Sequence, residues 1–265
     1  MKKIRKSAHL VFKNTIAILI FLALWEICAQ LKIIINPLFL PPFSTILKTL
    51  AEITVSGELW KHASISLRRA LIGYASGVVV AVPLGLTIGW FKKFGDILNP
   101  LLQVFRNLPV LALLPVFIMF FGIGEFSKIF VIFWGVLWSI LLNTISGVRS
   151  VDPQLVRASR SMGTGSVRLF STVVLPASLP HIFTGMRISA TTSVLILIAA
   201  EMLGASRGLG YALTFYQANM KFPQVYSYII VMAVIGVVLN FVLEHVEKRS
   251  FRWRDEVGTT VEVKK

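Results

Sequence analysis

Along the chain, long apolar stretches alternate with short polar ones, and the lengths of the apolar stretches set the first expectation. Leu71–Phe91, Asn107–Ile123, Ile129–Val148 and Val225–Leu243 contain no Asp, Glu, Lys or Arg. Ile16–Leu31 is interrupted by Glu26 and Gln30, and Ile188–Leu203 by Glu201. A helix needs about 20 apolar residues to cross a hydrocarbon core of about 30 Å. These runs therefore predict an all-α, polytopic helical bundle of six spans over residues 15–246, flanked by polar segments 1–14 and 247–265.

Finer patterns lie inside the runs. Gly73, Gly77, Ala81, Gly85 and Gly89 recur every fourth position in the second run, a stripe that lets two helix backbones approach closely in lipid. Pro83 in the same run, and Pro109 and Pro115 in the next, each remove a backbone donor and predict kinks. Bundle packing and a share in lining a pathway both remain open for these positions.

Composition agrees with a membrane chain. Hydrophobic residues are 55% and charged residues 15% of the 265 positions, and mean hydropathy is +0.77; soluble domains average about 45–50% apolar and about 25% charged. The formal charge of +15 would raise nucleic acid as a partner for a soluble domain. In a membrane chain it instead follows from basic residues gathering in cytoplasmic loops. Placing both termini in the cytoplasm puts most of the 27 Lys and Arg inside, leaving Lys32, Lys48, Lys61, Arg68, Arg69, Lys128, Arg207 and Lys221 outside. The first run is read as a retained span, because no small-x-small cleavage site closely follows it. Cys28 is the single cysteine, which excludes an intramolecular disulfide framework and a cysteine-based metal cluster.

Residues 148–187, between the fourth and fifth runs, form the informative segment. They carry Arg149, Arg157, Arg160, Arg168 and Arg187 against one acid, Asp152. Asp152 is a helix cap, Pro153 suits the first helical position, and Leu155, Ala158, Ser159 and Met162 recur at helical steps before Gly163. A second amphipathic helix is expected from Ser166, with Val167, Phe170, Val173 and Val174 on one face, stopping at Leu175-Pro176. Two such faces need cover, either from a protein partner or from the membrane surface.

Read through Gly163, the segment runs Arg157-Ala158-Ser159, three residues, Gly163, nine residues, Val173, one residue, Leu175-Pro176. It resembles the cytoplasmic signature of the membrane subunits of binding-protein-dependent ABC importers: Glu-Ala-Ala, three residues, Gly, nine residues, Ile, one residue, Leu-Pro. Arg157 stands for Glu, Ser159 for the second Ala and Val173 for Ile. The Arg157 reversal leaves no charge contact to carry over from that Glu. Asn99-Pro100, Pro109, Pro115, Phe121-Gly122-Ile123-Gly124-Glu125, Lys128, Ala200-Glu201-Met202-Leu203-Gly204-Ala205 and Gly208-Leu209-Gly210-Tyr211 are similar to the nitrate, sulfonate and taurine branch of these permeases. In all, the resemblance covers roughly Pro37 to Val246.

The resemblance implies a type I importer permease of the bacterial inner membrane, working as a homodimer or pseudo-dimer. Its partners are a cytoplasmic ATPase reached through residues 148–187 and an extracytoplasmic solute-binding protein. The implied solutes are an aliphatic sulfonate, taurine or nitrate, with a vitamin precursor such as hydroxymethylpyrimidine as the alternative. No cofactor is implied, and no ATP hydrolysis by the chain itself. Gly122-Ile123-Gly124-Glu125-Phe126-Ser127-Lys128 lacks the spacing of a phosphate-cradling loop. His9, His62, His181 and His245 have no metal-ligand spacing and are read as interfacial or solvated.

Glu201, an acid within a span, is a candidate for the pathway or an outer gate, paired with Arg207 or Lys128, or else a helix-end hydrogen-bonding group. Arg106, Arg68 and Arg69 are candidates for contact with an anionic solute, or else snorkel to the interface. An ion-coupled secondary transporter is the competing class, and would be expected to show repeated halves and midplane acids. The spans are nearly free of ionisable groups, and no clustered polar residues suggest a membrane enzyme.

Overall fold

Helices account for every regular element in the computed structural model, which describes residues 16–17, 19–31 and 39–250; among these there is no strand. A short apolar helix, α1 (Leu19–Gln30), precedes α2 (Phe43–Val55) and the long α3 (Glu58–Trp90). After α4 (Lys92–Arg106) come a 3₁₀ turn (Val110–Leu113), α5 (Leu114–Phe121) and α6 (Glu125–Arg149). The connecting segment holds α7 (Pro153–Ser161) and α8 (Ser166–Leu169). It leads through a π-helical stretch (Phe170–Val174) into α9 (Leu175–Gly204), α10 (Leu209–Ala218) and α11 (Phe222–Ser250).

The small-residue stripe of α3 is a packing seam. Both α3 and α6 run from the end of the bundle that holds Glu201 to the end that holds α7, and they pack in parallel with a constant register. A β-carbon on Gly73, Gly77, Gly85 or Gly89 would lie 2.8, 2.9, 2.6 or 2.7 Å from side-chain atoms of Ile132, Val136, Thr144 and Val148, respectively. The partner residue advances four for every four along α3. Lipid supplies no hydrophobic drive between helices, so this close backbone contact is what holds the pair. On its other side α6 meets α9 in antiparallel fashion: β-carbons on Gly147 and Gly185 would lie 2.7 and 2.6 Å from the β-carbons of His181 and Asn143. Helix α6 is thus the centre of the core, with Val131, Ile132, Val136 and Ile140 inaccessible to solvent. A second core joins Ile53, Leu59, Leu209, Ala212, Tyr228 and Met232, which tie α2, α3, α10 and α11 together.

The kink expected at Pro109 is present, and one expectation about the spans is corrected. Between α4, which precedes the third run, and the Val110–Phe121 segment within it, the chain bends by 84°. Asn107 ends α4, and Pro109, in extended conformation, can neither donate to a continuing ladder nor leave Leu108 helical. Among the described residues, four helices are individually long and apolar enough to cross a membrane, or five if the bent pair is one span, and α1 is shorter. The helix begun at Ser166 does not stop at Leu175-Pro176. It continues to Gly204, a run of 39 residues. The π turn just before Pro176 widens the helix where the ring would press on the Thr172 carbonyl, so the proline is absorbed rather than terminating.

Apolar side chains on the outer faces of these helices, including Leu71, Val79, Leu195, Val237 and Phe241, are exposed. Such surface is what a membrane-embedded bundle presents to lipid.

Candidate functional site

At the α7 end, the first helix of the connecting segment starts where its sequence pattern indicates. Asp152 caps α7 by accepting a hydrogen bond from the Gln154 amide at 2.8 Å, and Pro153 occupies the first turn. After Ser161 the chain reverses at Gly163, whose φ of +75° falls in the left-handed region that favours glycine. A β-carbon at Gly163 would meet nothing within 4 Å, so conformation, not space, selects glycine there. Its amide donates to the Arg160 carbonyl at 2.9 Å and that of Thr164 to Ser159 at 3.2 Å, closing the turn.

Of the signature positions, Ser159 is buried while Arg157, Ala158 and Gly163 are exposed, and Val173, Leu175 and Pro176 are half-buried on the π turn and its junction with α9. Apolar side chains project outward on either side of the turn: Leu155 is 53%, Met162 76% and Val167 85% exposed. Beside them, Trp90 stacks edge-on against Phe170 with ring centroids 5.2 Å apart, under an apolar groove between α3 and α8.

At the opposite end, Glu201 is wholly buried near the end of α9. Its partner is Arg69 of α3, at 2.7 Å, rather than Arg207 or Lys128. Arg207 contributes its backbone carbonyl to the same guanidinium at 2.7 Å, and Lys128 donates to the Gly124 carbonyl at 2.9 Å. The Arg69 Nε and Nη2 groups go to Glu125, whose side chain is 64% exposed. Arg69 itself is 3% exposed, so it does not snorkel.

The same carboxylate organises the start of α10. The first amides of a helix have no intrahelical acceptors, and here three consecutive ones are taken by side chains from other helices. Gly208 donates to His62 Nδ1 at 3.1 Å, Leu209 to Ser66 Oγ at 2.8 Å and Gly210 to Glu201 Oε2 at 3.0 Å. The Ser66 hydroxyl in turn donates a hydrogen bond to the Glu201 carboxylate at 2.8 Å. His62, half-buried, is therefore a capping acceptor with its proton on Nε2. His181 approaches Ser150 at 3.4 Å, His245 is exposed beside Phe241, and His9 lies outside the described residues. Arg106 sits exposed at the end of α4 and makes no ion pair with Glu201. Among the described residues, no group of three or more His, Cys, Asp or Glu could hold a metal ion.

The exposed, ordered turn between α7 and α8 on a bundle of apolar helices narrows the assignment, and comparison with known proteins decides it. Residues 81–252 match the family described as the binding-protein-dependent transport system inner membrane component. The chain belongs to this family.

This permease is 34% identical over 249 residues to the taurine transport system permease TauC of Escherichia coli, covering 92% of this chain and 90% of that one. It is also 34% identical over 236 residues to a Bacillus subtilis protein named as the aliphatic sulfonates transport permease SsuC, covering 89% and 85%. Its fold is that of the methionine ABC transporter MetNI in an inward-facing conformation, with a TM-score of 0.64 at 18% identity over 72% of this chain and 95% of the other. It is an ABC importer permease and not an enzyme; permeases of this kind work with an ATPase and a solute-binding protein.

Proposed function

We propose that two copies of this permease form the translocation pathway for aliphatic sulfonates, taurine among them. The α7 end faces the cytoplasm and an ATPase subunit, and the Glu201 end faces the solute-binding protein. The observation that carries the coupling role is the exposure of Leu155, Met162 and Val167 on a turn held by the Asp152 cap and Gly163. Apolar groups held in place and turned to water call for a cover. A closing ATPase dimer that grips this turn would drag α9 with it, because α8, the π turn and α9 are one continuous helix of 39 residues. Ala158 keeps the outer side of α7 thin enough to lie in a groove of the ATPase, Ser159 is buried behind it, and Val173, Leu175 and Pro176 relay the displacement to the bundle.

A second copy is supported by the polar face of α9 and α11. Arg187, Thr191, Thr192, Asn240 and Glu244 line one open groove on helices otherwise clad in apolar side chains. Polar groups in a span turn towards protein or a water-filled path rather than lipid. The buried Arg69–Glu201 pair positions α3, α9 and α10 at the outer end, the role proposed here for Glu201 at the gate; Arg106, exposed at the α4 bend, is proposed to face the pathway. The sulfonate class rests on the taurine and aliphatic sulfonate permeases, each 34% identical to this chain.

Affinity purification from native membranes followed by an ATPase assay tests this reading. The expected result is co-recovery of an ATPase and a binding protein that takes sulfonates in preference to hydroxymethylpyrimidine, with ATPase recovery lost when Ala158 and Gly163 are both replaced by Leu. A chain recovered alone under conditions that preserve complexes would remove the α7–α8 turn from the coupling role.

A further inference from the structure

At the Glu201 end, a cavity of about 270 Å³ opens between α3, α6 and the turn from α9 to α10. Its lining combines apolar Ile65, Ile72 and Ile129 with polar Arg68, Arg207 and Ser206, and Ile65, Arg68 and Ile72 share one face of α3. Arg69 and Glu125 complete the lining, and they are already committed to each other. Arg69 also spends donors on Glu201 and on the Arg207 carbonyl, so it contributes charge to the cavity more than free hydrogen bonds.

Arg68 and Arg207 differ from it. Both are exposed, and among the described residues neither guanidinium has an ion-pair partner. Three guanidinium groups line the cavity against Glu125, with Glu201 behind Arg69; three positive charges against two negative leave the site positive, and focused charge of one sign in a concave site concentrates ions of the other. A guanidinium presents a planar fork that fits an oxyanion's paired oxygens. Small-ligand sites characteristically combine a few polar groups with apolar side chains, as this lining does, at a size below that of a site for drug-sized ligands.

We propose that this cavity is an anion subsite at the outer mouth of the pathway. Arg68 and Arg207, with the Ser206 hydroxyl, hold the charged head of a small aliphatic sulfonate, and Ile65, Ile72 and Ile129 receive its apolar stem. The inference rests on the orientation and solute class proposed above. It assigns to the permease itself a stop for the solute after release from the binding protein.

The test is binding of tritiated ethanesulfonate to the detergent-purified permease–ATPase complex without binding protein, read by scintillation proximity. Arg68→Gln with Arg207→Gln is expected to weaken binding at least tenfold. Arg68→Lys with Arg207→Lys, which keeps the charge and loses the fork, is expected to weaken it less. Uncharged dimethyl sulfone is expected not to compete on the unaltered complex. Ethanesulfonate binding that is absent from the unaltered complex, or unchanged in the Gln pair, overturns the subsite. So does a Gln pair that binds ethanesulfonate normally but recruits the loaded binding protein tenfold more weakly, since the arginines would then form a protein-docking face. Should the Gln pair not assemble with the ATPase, the Lys pair and the sulfone competition decide the question. The solute reading fails separately: uptake by the whole importer in proteoliposomes would then follow a non-sulfonate solute, whatever the complex binds at Arg68 and Arg207.

Discussion

Arg69 on α3 and Glu201 on α9 meet at 2.7 Å with side chains that are 3% and 0% exposed. Removing one partner of such a pair strands the other charge away from water, a loss of roughly 3–5 kcal/mol. The two directions are not equal here. Without Glu201, Arg69 keeps Glu125, whereas without Arg69, Glu201 keeps only Ser66 and the Gly210 amide. Arg69→Met is therefore expected to lower the melting temperature of the detergent-solubilised permease more than Glu201→Gln, with Arg69→Met/Glu201→Gln costing less than the two single losses together. Equal shifts for the two single variants, additive in the double, would show that the pair is not coupled.

The α3–α6 seam gives a prediction with its own control. A β-carbon at Gly85 would sit 2.6 Å from that of Thr144 and 3.0 Å from the Leu141 carbonyl, so backbone and not only a side chain would have to move. Gly85→Ala is expected to cost about 1–3 kcal/mol, the usual scale of overpacking. At Gly236 of α11 an added β-carbon meets nothing within 4 Å, so Gly236→Ala is expected to be neutral or, through helix propensity, stabilising by up to about 1 kcal/mol. Thermal unfolding of both variants, side by side, checks the contrast. A Gly85→Ala protein as stable as Gly236→Ala would mean that α3 and α6 are not held at this distance.

Where sequence and structure agree or part has a physical pattern. Local signals were legible: the four-residue stripe from Gly73 to Gly89, the Asp152-Pro153 start of α7, and the turn at Gly163 all depend on neighbours within a turn or two. The continuation of the helix through Pro176 was not, because absorbing the ring took a π turn that no residue type advertises. The bend in the Asn107–Ile123 run was foreshadowed by Pro109, but an angle of 84° depends on how α4 and α5 pack against α6. The partners of Glu201 were invisible for another reason. Arg69 and Ser66 lie 132 and 135 residues earlier, and nothing in either local pattern marks the pairing. His62, 146 residues before the Gly208 amide it accepts from, shows the same limit.

Conformation, separated from space, can be probed at Gly163. With φ at +75° and nothing within 4 Å of a β-carbon, Gly163→Ala is expected to cost about 1–2 kcal/mol of backbone strain locally, with little effect on the bundle. Asn, which tolerates the left-handed region better, should cost less. The expected sequence in reconstituted uptake is Gly above Asn above Ala, with Leu abolishing ATP-driven transport while membrane insertion and melting temperature stay near those of the unaltered protein. A Leu variant with normal uptake would remove the turn from the coupling role.

The outward faces of α7 and α8 give the sharpest separation between folding and coupling. Leu155, Met162 and Val167 are 53%, 76% and 85% exposed, so acidic replacements cost the bundle little packing. If an ATPase covers these side chains, burying a carboxylate against it without a partner should break the contact. Met162→Glu and Val167→Glu are therefore expected to reduce ATPase co-purification at least tenfold with unchanged melting temperature and monodispersity of the permease. Arg157→Glu, which restores the sign found in the related signature, is expected to have no such effect, since an exposed charge on the rim contributes little to stability or affinity. Co-purification that survives both glutamates would place the ATPase on another surface, and the groove beside Trp90 and Phe170 would become the next region to probe.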